Sequence, residues 1–449
     1  MATLDSSVVN VALPTLTKDL VTEITLSKWV VVIYLFIISC LLLPCGKLSD
    51  NYGRRKIFTI GLLVFTVGSG ICGLSTTLGW LIFSRVIQGI GASMLMANGP
   101  AILTSSFPQT ELGKALGTMA MVVSLGLVSG PSLGGYLIAK AGWKSIFLLN
   151  IPFGVLGILL AIHFIAEDRP RTQARGKPFD WAGAFLQFIM IVMLTVLFDP
   201  PSISVSGSNP FTFSRILAGI LFLIFTAVFV RIESSVEDPL LDLTLLKNRD
   251  FWAGNVAGLF NFIAYSTVAV LMPFFLEEVK SFTTNRTGLY MTAIPLTIFV
   301  VAPISGRLSD RLGTRGLSML GAAIAATTLF AMSGAVGGGL TKTISDSYLI
   351  ILLGFIGVAM GLFQSPNNNA IMSSVPMNKL GIASAMLATV RNIGMVTGTG
   401  LSTSMFSMRL EATQDFISSM HWSCFLGGIM SCGAVLASFG RKRRQTFKK

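Results

Sequence analysis

The sequence predicts an all-α membrane protein of fourteen transmembrane helices, built as two six-helix bundles with two further helices inserted between them. Three observations lead there. Of 449 residues, 52% are hydrophobic and only 12% are charged, about half the charged share of an ordinary soluble domain. Such a chain cannot clothe a water-facing surface. Apolar runs recur from end to end, each near the roughly 20 residues that a hydrocarbon core requires. Finally, the two halves of the chain echo each other. Pro44-Cys-Gly-Lys-Leu-Ser-Asp50-Asn-Tyr-Gly53 returns 260 positions later as Ile304-Ser-Gly-Arg-Leu-Ser-Asp310-Arg-Leu-Gly313. Phe107 to Gly113 returns as Val375 to Gly381, and Gly126-Leu-Val-Ser-Gly130 as Gly394-Met-Val-Thr-Gly398, both at an offset of 268. Three matches in order, at nearly constant spacing, indicate a duplicated six-helix unit.

The first apolar run, near 3–17, reads Leu4-Asp5-Ser-Ser-Val-Val-Asn10-Val-Ala-Leu-Pro14. It begins almost at Met1 and is short for a full crossing. Either the chain starts inside this helix, or its start lies downstream of the true one. Among the twenty Asp and Glu residues, Asp5 alone falls deep in an apolar span; the others lie in loops, in loop motifs or near helix ends. An isolated carboxylate in hydrocarbon tends to hold a proton, which is what a proton carrier needs. A solvated N-terminal residue is the alternative.

The second and third helices, near 29–48 and 57–76, are joined by Gly46-Lys-Leu-Ser-Asp50-Asn-Tyr-Gly53-Arg54-Arg55. Glycines permit a tight turn and close helix contact. Asp50 and the arginines can form charge-assisted bonds that break when the halves rock. The fourth helix, near 80–104, carries Arg85-Val-Ile-Gln88-Gly-Ile-Gly-Ala. A cation inside hydrocarbon is costly and normally faces a cavity or a partner, so Arg85 is the expected modulator of Asp5; snorkelling towards the outer surface is the alternative. The fifth helix, near 115–139, holds Gly126, Gly130, Pro131, Gly134 and Gly135. Glycines at four-residue intervals make one smooth stripe on which a neighbour can pack, and Pro131 bends the helix by removing a hydrogen bond. The sixth, near 145–166, opens on Trp143-Lys-Ser-Ile-Phe-Leu-Leu-Asn150-Ile-Pro152-Phe-Gly154.

Helices seven and eight, near 180–198 and 213–231, have no counterpart in the repeat and form the insert. The second half then runs near 251–276, 286–306, 316–335, 347–370, 381–405 and 421–439. Its own loop signature contains Gly306, Asp310, Arg311 and Gly313. The expected division is a first bundle at 1–166, the insert with its linkers at 167–250, a second bundle at 251–439 and a basic tail at 440–449.

Thirty-three Lys and Arg residues give a formal charge of +13. With the N-terminus inside, about 22 of them fall in inner loops and tail, about 9 in outer loops and about 2 within helices, the bias of the positive-inside rule. Both termini are therefore expected in the cytoplasm. The tail Arg441-Lys-Arg-Arg444 is read as an anchor on anionic lipid, not as a nucleic-acid site. Cys40, Cys45, Cys72, Cys424 and Cys432 show neither metal-ligand nor secreted-disulfide spacing, and His163 and His421 have no partner that would make a site. No metal is expected.

These segments resemble the signatures of the major facilitator superfamily: the loop at 46–55 with its second copy, the arginine of helix 4, and the Gly-Pro stripe of helix 5. The openings of helices 1 and 6 narrow the resemblance to its fourteen-helix drug:proton antiporter family (EmrB/QacA type), over essentially the whole chain. The resemblance implies gating by the two loops and a central cavity lined from helices 4, 9 and 12 by Gln88, Asn98, Asn255, Phe260, Asn261, Tyr265, Phe363, Gln364 and Asn367. It also implies proton-coupled export of small lipophilic or cationic compounds by a monomer in the plasma membrane, with the proton gradient in place of any cofactor, and with substrate, protons and lipid as partners. An exporter of one metabolite, antibiotic or siderophore, and a non-transporting membrane sensor or lipid-handling protein, are the alternatives. An enzyme is disfavoured, because the sequence offers no nucleotide-binding loop, metal constellation or nucleophile–base pair.

Overall fold

A computed structural model describes residues 1–106, 112–165, 180–198, 210–236, 243–337, 345–376 and 380–441. Among them the chain is helical throughout, apart from its joints, with one 3-10 turn at Leu243–Lys247 and one π-turn at Phe275–Val279. The first bundle comprises α1 (Ala2–Asp19), α2 (Ile24–Ser27) leading into α3 (Trp29–Tyr52), α4 (Arg54–Leu74), α5 (Leu78–Ser106), α6 (Leu112–Ala141), and α7 (Lys144–Leu148) leading into α8 (Asn150–Phe164). The insert is α9 (Trp181–Phe198) and α10 (Pro210–Glu233). The second bundle comprises α11 (Arg249–Phe274), α12 (Thr284–Met291) leading into α13 (Ala293–Leu312), α14 (Thr314–Gly337), α15 (Asp346–Ser373), α16 (Leu380–Thr413) and α17 (Phe416–Phe439).

These elements supply the long helices that the sequence predicts. Eleven spans among the described residues are by themselves long and apolar enough to cross a membrane. Helices α1, α6 and α16 complete the set; α1 has 18 residues and carries Asp5, Lys18 and Asp19. Prolines lie inside α1, α3, α5, α6, α11, α13 and α15. Membrane helices tolerate them because neighbouring helices and local adjustments satisfy the freed carbonyls.

The repeat is visible in the backbone. Gly53, between α3 and α4, has φ 101°, and Gly313, between α13 and α14, has φ 86°. With ψ of 132° and 154°, both conformations are costly for any residue with a Cβ. Each bundle thus makes its second-to-third helix turn with the same glycine device.

Two seams join the bundles. Helix α3 packs along α16, and α6 packs against α12 and α13. The insert lies on the first seam: α9 touches both α3 and α16, Gln187 Nε2 donates to the Ser39 carbonyl at 3.1 Å, and Ser404 Oγ donates to the Phe198 carbonyl at 3.3 Å. Polar bridges between the bundles gather at the end where α1 finishes. Lys18 Nζ meets Glu278 Oε1 at 3.0 Å, Lys28 Nζ donates to Thr403 Oγ1 at 3.0 Å, Thr15 meets Thr284 at 3.2 Å and Ser132 meets Thr292 at 2.6 Å. These bridges close that end. A cavity of about 430 Å³ remains there, lined by Pro14, Thr17, Lys18, Phe274 and Glu278 among others.

Candidate functional site

The most concentrated polar chemistry within the apolar bundle is built on Asp5. Its carboxylate is buried in the first turn of α1. Arg85 Nη1 on α5 donates to Asp5 Oδ2 at 2.5 Å, while Oδ1 accepts from Gln88 Nε2 at 3.0 Å and from Asn150 Nδ2, at the start of α8, at 2.9 Å. The arginine is held in turn: Nη1 reaches Gln88 Oε1 at 2.5 Å, Nε donates to the Val30 carbonyl at 3.0 Å, and the guanidinium lies 4.0 Å over the Tyr34 ring. Gln88 Nε2 also donates to Ser69 Oγ on α4 at 2.8 Å. Residues 85 and 88 are one helical turn apart, so both face α1 from one side of α5.

This geometry revises one expectation. Asp5 is not an isolated carboxylate in hydrocarbon; a guanidinium and two amide donors surround it. Protonation would remove the charge that Arg85 faces. A buried cation left in that state is expensive. Gln88, expected in the substrate cavity, belongs to this network instead.

The glycine stripe of α6 finds its neighbour in α1. A Cβ at Gly126 would lie 3.5 Å from Thr3 Oγ1, one at Gly130 2.6 Å from Ser7 Oγ, and one at Gly134 2.6 Å from Val8 Cγ1. The helix bearing Asp5 therefore rests on bare backbone. Gly135 turns to the second bundle and meets Gly288 of α12, which itself sits on the Pro131 carbonyl. The stripe touches both the acid-bearing helix and the seam between bundles.

The loop signature is described for its glycines and for Arg54, Arg55 and Arg311. Gly46 and Gly306 allow α3 to approach α5, and α13 to approach α15, with Ala97 and Ser365 as their nearest neighbours. Arg54 donates to the Ala101 carbonyl at 2.9 Å and Arg55 to the Ile162 carbonyl at 2.6 Å. These bonds brace the first bundle and do not cross to the second. Arg311 is exposed. The side chains of Asp50 and Asp310 lie outside the described residues, as does the tail beyond Arg441.

Several expected cavity residues are packed within a bundle. Phe363 is wholly buried with Ala257, Ala322 and Ala434, and Phe260 packs beside them against Gly433. Asn261 Nδ2 meets Met360 Sδ at 3.0 Å. Asn367 Oδ1 accepts from Arg441, which also reaches Ser318 Oγ at 3.3 Å; burial lowers the Arg441 guanidinium to about 10, against the raising influence of Asp250. Each of these contacts is made with a residue of the second half of the chain. Tyr265 packs on the second bundle's core, and Gln364 is half-buried. Asn98 and Asn255 are buried, and each donates to its own helix at Met94 and Phe251. Among the described residues their Oδ1 atoms have no hydrogen-bond partner.

Asn150, Ser69 and Tyr34 were not singled out by the sequence as members of the Asp5 site. Asn150 had a signal: an amide opening an apolar helix, inside a motif already noticed.

Comparison with known proteins gives a consistent result. The family model described as Major Facilitator Superfamily matches residues 1–399. The riboflavin transporter RibZ of Clostridioides difficile is 36% identical over 427 residues, covering 95% of this chain and 89% of that protein. The multidrug export protein EmrB of Escherichia coli is 28% identical over 413 residues, covering 91% and 78%. Among solved structures, a bacterial homologue of the human lysosomal transporter Spinster, in an inward-facing and unoccupied conformation, aligns with a TM-score of 0.68 at 14% identity, over 98% of this chain and 94% of that one.

Proposed function

This chain belongs to the Major Facilitator Superfamily and is a membrane transporter, and on that footing we propose that it exports small lipophilic compounds in exchange for protons by alternating access. The observation that carries the reading is the buried Asp5–Arg85 pair, with Gln88 and Asn150 on the same carboxylate. A titratable group at the joint of α1, α5 and α8 converts a proton into a change in how α1 is held. Because α1 also rests on the α6 stripe, and α6 forms a seam with α12, that change has a route to the interface between bundles. The basic inner loops support a plasma-membrane orientation with both termini cytoplasmic.

A second reading, transport of one metabolite, is supported by the similarity to a protein described as a riboflavin transporter. Inside-out vesicles separate the two and test the first. An acid lumen is expected to drive accumulation of ethidium as well as riboflavin, and a protonophore to abolish it. Accumulation of riboflavin alone favours the second reading, and accumulation indifferent to the pH gradient removes proton coupling.

A further inference from the structure

Among the described residues, three side chains hydrogen-bond to Asp5, and all three act as donors. Arg85 Nη1 lies 2.5 Å from Oδ2, while Gln88 Nε2 and Asn150 Nδ2 lie 3.0 and 2.9 Å from Oδ1. A carboxylate only accepts, whereas a protonated carboxyl group must also donate. Asp5 is 2% exposed, so bulk water does not receive that new donor, and leaving it unmet is costly. One neighbour has to turn an acceptor towards it.

Arg85 cannot, because a guanidinium carries donors alone. Gln88 owns an acceptor, but all four of its hydrogen-bonding positions are taken. Its Oε1 receives Arg85 Nη1 at 2.5 Å and the Cys72 thiol at 3.7 Å. Its Nε2 donates to Asp5 and, at 2.8 Å, to Ser69 Oγ, whose own proton goes to the Phe65 carbonyl at 2.8 Å. Turning this amide over would set its NH2 group against the Arg85 donor, and its carbonyl against a hydroxyl already engaged. Helices α4 and α5 thus lock Gln88 in one orientation.

Asn150 is held differently. It is 2% exposed, yet among the described residues the bond to Asp5 is the one hydrogen bond its side chain makes. A half-turn about its last torsion, which is soft and roughly two-fold, exchanges Nδ2 for Oδ1 and breaks no second bond. The residue also opens α8, directly after Leu149, where α7 gives way to α8.

We propose that Asn150 is the group that reads the proton on Asp5: when Oδ1 is protonated, the Asn150 amide turns over and its carbonyl oxygen accepts from the new hydroxyl. The proton adds to Oδ1 and cancels the carboxylate charge; no other covalent bond changes, and Arg85 stays charged against Oδ2. The other titratable groups around the acid, Tyr34 on α3, Cys72 on α4 and the amino group of Met1, take no part in this step. The proposal rests on the reading of Asp5 as the proton carrier and deepens it, by naming the residue that tells the two states of the acid apart.

The test is pH-difference infrared spectroscopy on the purified full chain in detergent, with the side-chain amides of asparagine carbon-13 labelled in one sample and those of glutamine in another. Acidification is expected to raise a carboxylic acid band that Asp5→Asn lacks. In step with it, one labelled asparagine carbonyl band should shift to lower wavenumber, because that carbonyl gains a donor. The shift should vanish in Asp5→Asn and in Asn150→Leu, and the glutamine sample should show none. Asn150→Ser assigns the band if the leucine variant does not fold. An asparagine that merely braces α8 would go on donating, and its band would not follow the acid. Three results overturn the proposal and leave coupling at Asp5 standing: a static asparagine band beneath a growing Asp5 band, a shift that survives the loss of Asn150, or a shift in the glutamine sample instead. Absence of any Asp5-dependent acid band across the pH range in which the protein stays folded would overturn both.

Discussion

Asp5 and Arg85 stand 80 positions apart in the sequence and meet at 2.5 Å, with side chains 1% and 0% exposed to solvent. A pair so deeply placed has traded its water for its partner. Its net contribution to stability is therefore small or even negative, whereas breaking it from one side is expensive. That asymmetry is what a coupling device requires: the pair is comfortable intact and intolerant of a proton on one member.

The first prediction concerns that asymmetry. Asp5→Asn and Arg85→Gln should each destabilise the purified protein by about 3–5 kcal/mol, the usual cost of stranding one buried charge. The double variant should lose much less than the two losses combined. Thermal unfolding in detergent measures the cycle, and simple additivity would mean that the two side chains act independently.

Backbone geometry gives a second prediction. Gly53→Ala and Gly313→Ala should each cost about 1–3 kcal/mol, because their dihedrals suit glycine alone. Gly316→Ala, in open space and at ordinary φ, should be nearly neutral and serves as the control. Equal melting temperatures for all three would show that the two turns adopt other conformations in the membrane.

The seam between bundles gives a third. A Cβ at Gly288 would collide with the Pro131 carbonyl, so Gly288→Ala should loosen the closed end while leaving each bundle folded. Cysteines at Thr15 and Thr284, whose hydroxyls are 3.2 Å apart, should cross-link readily in the parent and several-fold more slowly with Gly288→Ala. Unchanged cross-linking would remove this contact from any role in closure.

Orientation is a fourth. A cysteine placed at Ser206 should react with an impermeant reagent from outside intact cells, and one placed at Thr446 should not. The reverse labelling would invert the assignment of faces built on the loop charges.

Much of this architecture was legible in the sequence, for reasons that particular residues display. The paired loops around Gly53 and Gly313 exposed the duplication, because a turn requiring positive φ keeps its glycine in both copies. Asp5 stood out because a carboxylate in an apolar run is costly whatever surrounds it, and Arg85 was its natural partner for the same reason. What surrounds them was not legible. Gln88 was placed in the cavity, and Asn150 was noticed only as part of a motif, because their roles depend on the rotation of α5 and α8. A helix that is apolar all round carries little periodic signal to set that rotation. The packing of Phe363 with Ala257, Ala322 and Ala434, and the bond from Arg441 to Asn367, were not legible on the same ground.

The most direct test of the central claim is proton release on cargo binding. Unbuffered, detergent-solubilised wild type and Asp5→Asn are compared near pH 7, with ethidium and riboflavin added in turn. Coupling at Asp5 predicts a pH change on binding in the wild type, and binding without it in Asp5→Asn. Undiminished proton release from a well-folded Asp5→Asn variant would contradict the account and place the coupling group elsewhere in the chain.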